Sequence, residues 1–296
     1  MFTGLSAFPL TPVTGRGIDE KAFTGLVERL AAAQVDSITV LGSTGSYAYL
    51  DRAERARTAR LAVEHAGGTP VIVGIGALRT RDVLELAEDA QDAGASGVLL
   101  APMTYQQLTS DEVFGLYADV TAELSVPLVV YDNPGTTHFT FTDDLYARIA
   151  ELPNVASVKI PGVPRATSEA EGRLARLRSL LPATMTIGVS GDPLAATGLN
   201  AGCDAWYSVV GGTLPGPALT ITRAALAGES ASAVAESERL QPLWELFTRH
   251  GSLRVVSAIA ELLDLVGHPN LPRPLNGLAD EDRAAVAETI ERLGLR

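Results

Sequence analysis

The sequence predicts a (β/α)8 barrel followed by a helical extension. Three observations carry this. Eight short, almost wholly apolar runs alternate with amphipathic stretches over the first three quarters of the chain. The runs do not alternate apolar with polar, as strands of a parallel sheet buried on both faces should not. The 296 residues exceed one small domain but suit one large barrel with an appendage. The runs are Leu5–Leu10, Ser37–Leu41, Val71–Ile75, Gly97–Ala101, Pro127–Tyr131, Val155–Ile160, Met185–Val189 and Ala205–Val210. Helix-period segments fall between and after them, near 19–34, 51–66, 80–94, 110–123, 142–151, 166–181, 193–201 and 214–227. Asp51 with Glu54 reads as a capping box, and Gly94 and Gly202 as helix stops. Further helices are expected at 230–249, 252–266 and 279–293, with a Pro-rich connector before the last. The boundaries are therefore 1–228 for the barrel and 229–296 for the extension. The competing fold is a doubly wound open sheet binding a nucleotide. Its one signal, Gly74 to Arg79 (GIGALR), lacks the third glycine of a dinucleotide fingerprint.

Composition narrows the functional classes. The chain is 46% hydrophobic and 20% charged, as a globular protein is. Thirty-five acidic against 23 basic residues give a net charge of −12, which disfavours nucleic-acid binding. One cysteine, Cys203, excludes an intramolecular disulfide and a cysteine-rich metal site; it reads as a small core residue in a reducing, cytoplasmic setting. The first residues lack the basic and apolar regions of a signal peptide, and no run approaches the ~20 residues of a membrane span. His65, His138, His250 and His268 show no metal-ligand spacing, so no metal is expected.

In such a barrel the C-terminal strand ends face the active site. Only two of the basic residues are lysines, Lys21 and Lys159. Lys21 opens a polar helix and reads as a surface residue. Lys159 ends the sixth run among apolar neighbours, where desolvation lowers an ammonium pKa. The neutral amine is then a nucleophile toward a ketone, which a guanidinium is not. The competing reading is a snorkelling lysine at a strand end. Tyr131 ends the adjacent run and is either a proton carrier or a core tyrosine. Gly42 to Ser46 (GSTGS) form a turn whose backbone N–H groups suit a carboxylate, or an ordinary βα turn. Asp132 and Asp192 also end strands, but sequence does not place them together.

Taken jointly, these pieces resemble the dihydrodipicolinate synthase / N-acetylneuraminate lyase family, class I pyruvate-type aldolases on a (β/α)8 barrel. The resemblance covers the whole chain, from AFPLTP through GSTG, YDNPG, VKIP and SGD to GCDAWYSVV. It implies that Lys159 forms the Schiff base and Tyr131 relays the proton. It implies that Ser43 and Thr44, with Gly45 in their turn, hold the keto-acid carboxylate, and that Ser208 lies at the site on strand eight. It also implies no cofactor, and a homo-oligomer built as a dimer of dimers.

Departures from the pattern concern the second substrate. Ser46 stands where the family has Glu. Thr104 stands where it has the tyrosine that crosses a dimer interface, with Tyr105 one later. Thr136 replaces the arginine that binds the second carboxylate, Ile160-Pro161-Gly162 follow the lysine, and Gly212 replaces an asparagine. Met103, Thr104, Tyr105, Thr136, Thr137 and His138 are expected around the second substrate, which their lack of arginine makes a neutral aldehyde. The expected function is a lysine-dependent aldolase or lyase acting on a 2-oxo acid, and not dihydrodipicolinate synthase itself. A sugar-acid dehydratase using the same imine, a non-catalytic keto-acid-binding barrel and a nucleotide-dependent oxidoreductase are the rivals.

Overall fold

The computed structural model describes residues 1–295; Arg296, the last residue of the expected extension, lies outside them. Eight parallel strands close into a barrel in chain order. They are β1 (Gly4–Ala7), β2 (Ser37–Val40), β3 (Val71–Gly74), β4 (Gly97–Leu100), β5 (Leu128–Tyr131), β6 (Val155–Ile160), β7 (Thr186–Val189) and β8 (Ala205–Ser208). β1 pairs with both β2 and β8, which excludes the open sheet. The helices between them are α1 (Glu20–Ala32), α2 (Arg52–His65), α3 (Thr80–Asp92), α4 (Ser110–Glu123), α5 (Asp143–Ala150), α6 (Thr167–Leu180), α7 (Ala195–Asn200) and α8 (Pro215–Leu226).

The apolar runs are explained by two buried layers. Ile72, Leu99, Val129, Tyr131, Ala205 and Tyr207 fill the barrel with Phe8. Their neighbours in sequence, such as Val71, Val73, Val98 and Leu100, face outward against the helices. Both faces are therefore apolar, as the period-two geometry of a strand requires when each side is covered. Gly74 is not part of a nucleotide loop: a Cβ there would lie 1.9 Å from the Leu41 carbonyl oxygen, so only glycine admits the neighbouring strand end.

Local signals set the helix ends. Asp51 and Glu54 form the expected capping box on α2, worth about 1 kcal/mol. Gly94 (φ 83°) and Gly202 (φ 107°) adopt the left-handed conformation that stops a helix. Two differences from expectation appear. A short antiparallel hairpin, Val13–Thr14 with Gly17–Ile18, follows β1. The expected helix 230–249 is broken at Leu240 into α9 (Ser230–Arg239) and α10 (Gln241–His250). Pro242 in the first turn of α10 lacks the N–H that a continuous helix would need. After them come α11 (Ser252–Leu262) and α12 (Asp280–Arg292). The connector between these two is tied back to the barrel: Val13 N donates to the Asn270 carbonyl at 2.9 Å, and the Asn270 side chain donates to Glu261 at 2.7 Å. This ties α11 to the segment after β1, and its first residues, Ser252 and Leu253, reach a cavity at the C-terminal strand ends.

Candidate active site

Strand register brings the two central groups together. Tyr131 on β5 pairs directly with Lys159 on β6, and Lys159 pairs with Gly188 on β7. Ser157 and Lys159, two residues apart, share the inner face. Gly188 leaves room for the Tyr207 ring, which a Cβ there would meet at 2.2 Å. The Lys159 ammonium nitrogen therefore emerges between aromatic rings, 3.9 Å from the centroid of Tyr131 and 5.6 Å from that of Phe8.

Lys159 is only 5% exposed, and burial lowers its pKa from the usual value. Tyr131, Asp192 and Asp132 oppose the shift without cancelling it. The Tyr131 hydroxyl lies 3.2 Å from Ser43 Oγ and accepts from Asn133 Nδ2 at 2.8 Å. Asn133 Nδ2 also reaches Ser43 Oγ at 3.3 Å, closing a three-membered polar cluster. A lysine with a lowered pKa, a phenol beside it and a hydroxyl-bearing turn opposite are the groups that imine chemistry requires.

The two carboxylates flank the lysine from either side but do not act as a pair, since each has its own donors. Asp192 accepts from Trp206 Nε1 (3.0 Å), Val209 N (3.2 Å) and Val210 N (2.7 Å), which fixes the turn after β8. Burial nonetheless pushes its carboxyl up to about 6. Asp132 is held by the Tyr146 hydroxyl, and burial raises its pKa as well.

These groups open into a cavity of about 680 Å3. Of the expected residues, Ser43, Thr44, Met103, Thr104, Tyr131, Thr136 and Lys159 line it, and so does Ser46. Gly45, Tyr105, Thr137, His138 and Ser208 do not. Gly45 lies under the turn, where a Cβ would stand 3.0 Å from Leu41 N. Tyr105 is 89% exposed. Thr137 is buried, its hydroxyl donating to the Asn133 carbonyl. His138, exposed at φ 58°, caps the helical turn Pro134–Thr137. Ser208 is buried and accepts from Gly211 N at 2.8 Å, so it shapes a turn. Cys203 is a core residue whose thiol burial pushes up to about 12.

Several lining residues escape sequence reasoning. Asn133 lies inside the quoted YDNPG run, and an amide two residues past a strand end was its only signal. Tyr47 stacks on the buried Arg55 guanidinium at 5.2 Å. Arg55 donates to the carbonyls of Gly76 and Gly74, both at 2.9 Å, and burial lowers its pKa to about 10. Phe247, Thr248, Gly251, Ser252, Leu253 and Leu275 come from the extension. Among the described residues, Lys159 is the sole cation lining the cavity.

The closed barrel and its buried strand-six lysine define a lyase of the lysine-dependent class I aldolase type. Comparison with known proteins agrees. A sequence model described as the dihydrodipicolinate synthetase family matches residues 1–293. A 4-hydroxy-tetrahydrodipicolinate synthase of Methylococcus capsulatus is 31% identical over 291 residues, spanning 98% of this chain and 97% of the relative. The crystal structure of a dihydrodipicolinate synthase from Agrobacterium tumefaciens superposes with a TM-score of 0.95 at 45% identity, covering 99% of this chain and 98% of that one. A putative dihydrodipicolinate synthetase from Pseudomonas aeruginosa gives 0.90 at 29% identity over 99% of this chain and 100% of its own. The chain belongs to the dihydrodipicolinate synthetase family.

Proposed function

We propose that this enzyme makes or breaks a carbon–carbon bond between a pyruvate-type 2-oxo acid and a neutral aldehyde, through an imine on Lys159. The observation that carries this is the register pairing of Tyr131 with a buried Lys159 whose nitrogen lies 3.9 Å from the phenol ring. The neutral amine adds to the C2 carbonyl to give a carbinolamine. Tyr131 delivers the proton with which the former carbonyl oxygen departs as water, leaving the iminium. Loss of a proton from C3 gives the enamine, whose carbon attacks the aldehyde carbonyl; water then releases the product and regenerates the amine. Ser43 and Thr44 hold the carboxylate at the turn after β2.

The partner differs from that of dihydrodipicolinate synthase in this proposal, although the relatives above bear that name. The support is the absence of any cation but Lys159 from the lining, with Thr136 where the resemblance puts an arginine. A second carboxylate would be desolvated there without a counter-charge, which is costly. Assembly as a homo-oligomer, a dimer of dimers, belongs to the same proposal, and light scattering tests it. So does a cytoplasmic location; among the described residues no helix is long and apolar enough to cross a membrane.

Borohydride trapping with pyruvate tests the chemistry, read by peptide mass spectrometry. The expected result is a reduced adduct on Lys159 that is absent in Lys159→Ala. An adduct with a longer 2-oxo acid alone would favour the dehydratase. Binding of pyruvate with no adduct would favour the keto-acid-binding barrel.

A further inference from the structure

The cavity is far larger than a three-carbon oxo acid needs. Its 680 Å3 lies mid-range for small-molecule pockets, roughly 300–1,000 Å3. The inner end holds Lys159, Tyr131, Ser43 and Thr44. The remaining walls come from the turn after β2, the exits of β4 to β8 and the extension. Large side chains there are Tyr49, Met103, Phe247, Leu253 and Leu275. The hydroxyls among them are neutral, and those of Thr104, Thr136, Ser190 and Thr248 already donate to carbonyls of their own chain, which leaves Ser46 and Ser252 with the phenols of Tyr47 and Tyr49. The Asp192 oxygens are already taken by three donors of their own chain.

The apolar wall is held in place. Phe247 sits in the last turn of α10, with its ring edge-on to Trp244 at 5.6 Å between centroids. Gly251, at φ 80°, donates its N–H to the Phe247 carbonyl at 2.9 Å and turns the chain into α11. That turn brings Phe247 and Leu253 onto the same cavity. Phe247 is 8% exposed, so its ring is packed before any substrate arrives. A rigid apolar wall beside hydroxyls that mostly donate to their own chain rewards hydrocarbon surface and leaves the extra hydroxyls of a polyhydroxy chain short of partners.

We propose that the outer half of this cavity is the aldehyde site, that it takes an aldehyde on a hydrocarbon body about the size of a phenyl ring, and that Phe247 sets this preference. The proposal rests on the imine reading above and names its second substrate. Sugar-like hydroxyaldehydes and acidic aldehydes are the classes it disfavours.

The test compares benzaldehyde with glyceraldehyde and succinic semialdehyde as partners of pyruvate, following pyruvate consumption. Benzaldehyde should exceed both in kcat/KM by at least about tenfold, the low end of what one methylene is worth in an apolar pocket. Phe247→Leu should raise the KM for benzaldehyde by about tenfold with a smaller change in kcat. Leu253→Ala, melted alongside to verify folding, should act in the same direction. Equal or better use of glyceraldehyde or succinic semialdehyde overturns the proposal, as does an equal loss for all three aldehydes in both variants. Failure of every aldehyde while pyruvate is still trapped on Lys159 overturns it too, and leaves the imine reading standing. If pyruvate is not trapped, the imine reading falls and the site is read by binding instead. Saturation-transfer NMR should then show benzyl alcohol, but not glycerol, bound to the wild type and weakened in Phe247→Leu. No benzyl alcohol signal overturns the apolar site.

Discussion

Replacing Tyr131 by Phe removes one oxygen atom and separates chemistry from stability. The lost hydroxyl contacts Ser43 Oγ at 3.2 Å and Asn133 Nδ2 at 2.8 Å. Each hydrogen bond is worth about 0.5–1.5 kcal/mol net. Asn133 keeps Ser43 Oγ as an acceptor at 3.3 Å, so the total should stay near 1 kcal/mol. In a chain this long that moves the melting temperature by only a few degrees. A positioned proton carrier contributes about 100- to 10,000-fold in rate, or roughly 3–5 kcal/mol of the barrier. The assay is exchange of the pyruvate methyl protons in deuterated water, followed by NMR, because it reports the enamine without any aldehyde. Tyr131→Phe should slow exchange at least 100-fold while melting within a few degrees of wild type. Exchange within threefold of wild type would mean that the phenol does not move the proton. A slow variant that has also lost its cooperative melt would mean that the hydroxyl holds the site together instead.

Three further outcomes follow from the buried charges. Burial lowers the Lys159 pKa, so the neutral amine is populated at lower pH than in a surface lysine; the rate of borohydride trapping should reach half its maximum below pH 10.5, and a midpoint at or above it refutes this. Asp192 titrates near 6 when folded against a usual 3.8, so its contribution is present below pH 3.8 and lost as pH rises through 6, by at most roughly 3 kcal/mol. Denaturant melts of wild type and Asp192→Asn between pH 4 and 7 should therefore show a stability difference that changes with pH, and a constant difference would contradict the raised value. Arg55→Leu strands the carbonyls of Gly74 and Gly76 and removes the support under Tyr47; two unpaired buried acceptors cost roughly 2–6 kcal/mol, and a melting temperature equal to wild type would count against it.

The barrel was readable because burial on both faces leaves a strand with no polar position. Ile72 looks inward and Val71 and Val73 outward, so the run VIVGI has no interruption. Lys159 was readable because the chain otherwise uses arginine for nearly all its cations. What could not be read were contacts made by backbone geometry or by distant segments. Ser208 looked like a substrate contact because it ends a strand, yet Gly211 N claims its oxygen. His138 lay close in sequence to Tyr131, but the helical turn it caps carries it to the surface. Phe247 and Leu253 have the helix-period spacing of ordinary core residues. Periodicity shows that a face is covered, not whether side chains or a cavity cover it.

The same division explains where this chain departs from its family. The inner end of the cavity is made by register between adjacent strands: Tyr131 meets Lys159 because their Cα atoms pair, and no loop change alters that. The outer half is made by segments far apart in sequence, among them the turn after β2, the exits of β4 and β5 and the α10–α11 junction, each free to vary without moving Lys159. Thr104 and Thr136 lie on that half. Gly212 belongs to the barrel itself. A Cβ there would stand 1.9 Å from the Phe8 carbonyl oxygen, so the asparagine that the resemblance places at this position has no room. An asparagine there would displace Phe8, whose ring lies 5.6 Å from the Lys159 nitrogen, and the barrel would have to shift to accept it. Specificity here therefore changes more readily through Phe247 and its neighbours in the extension than by returning the barrel's own positions to the family pattern.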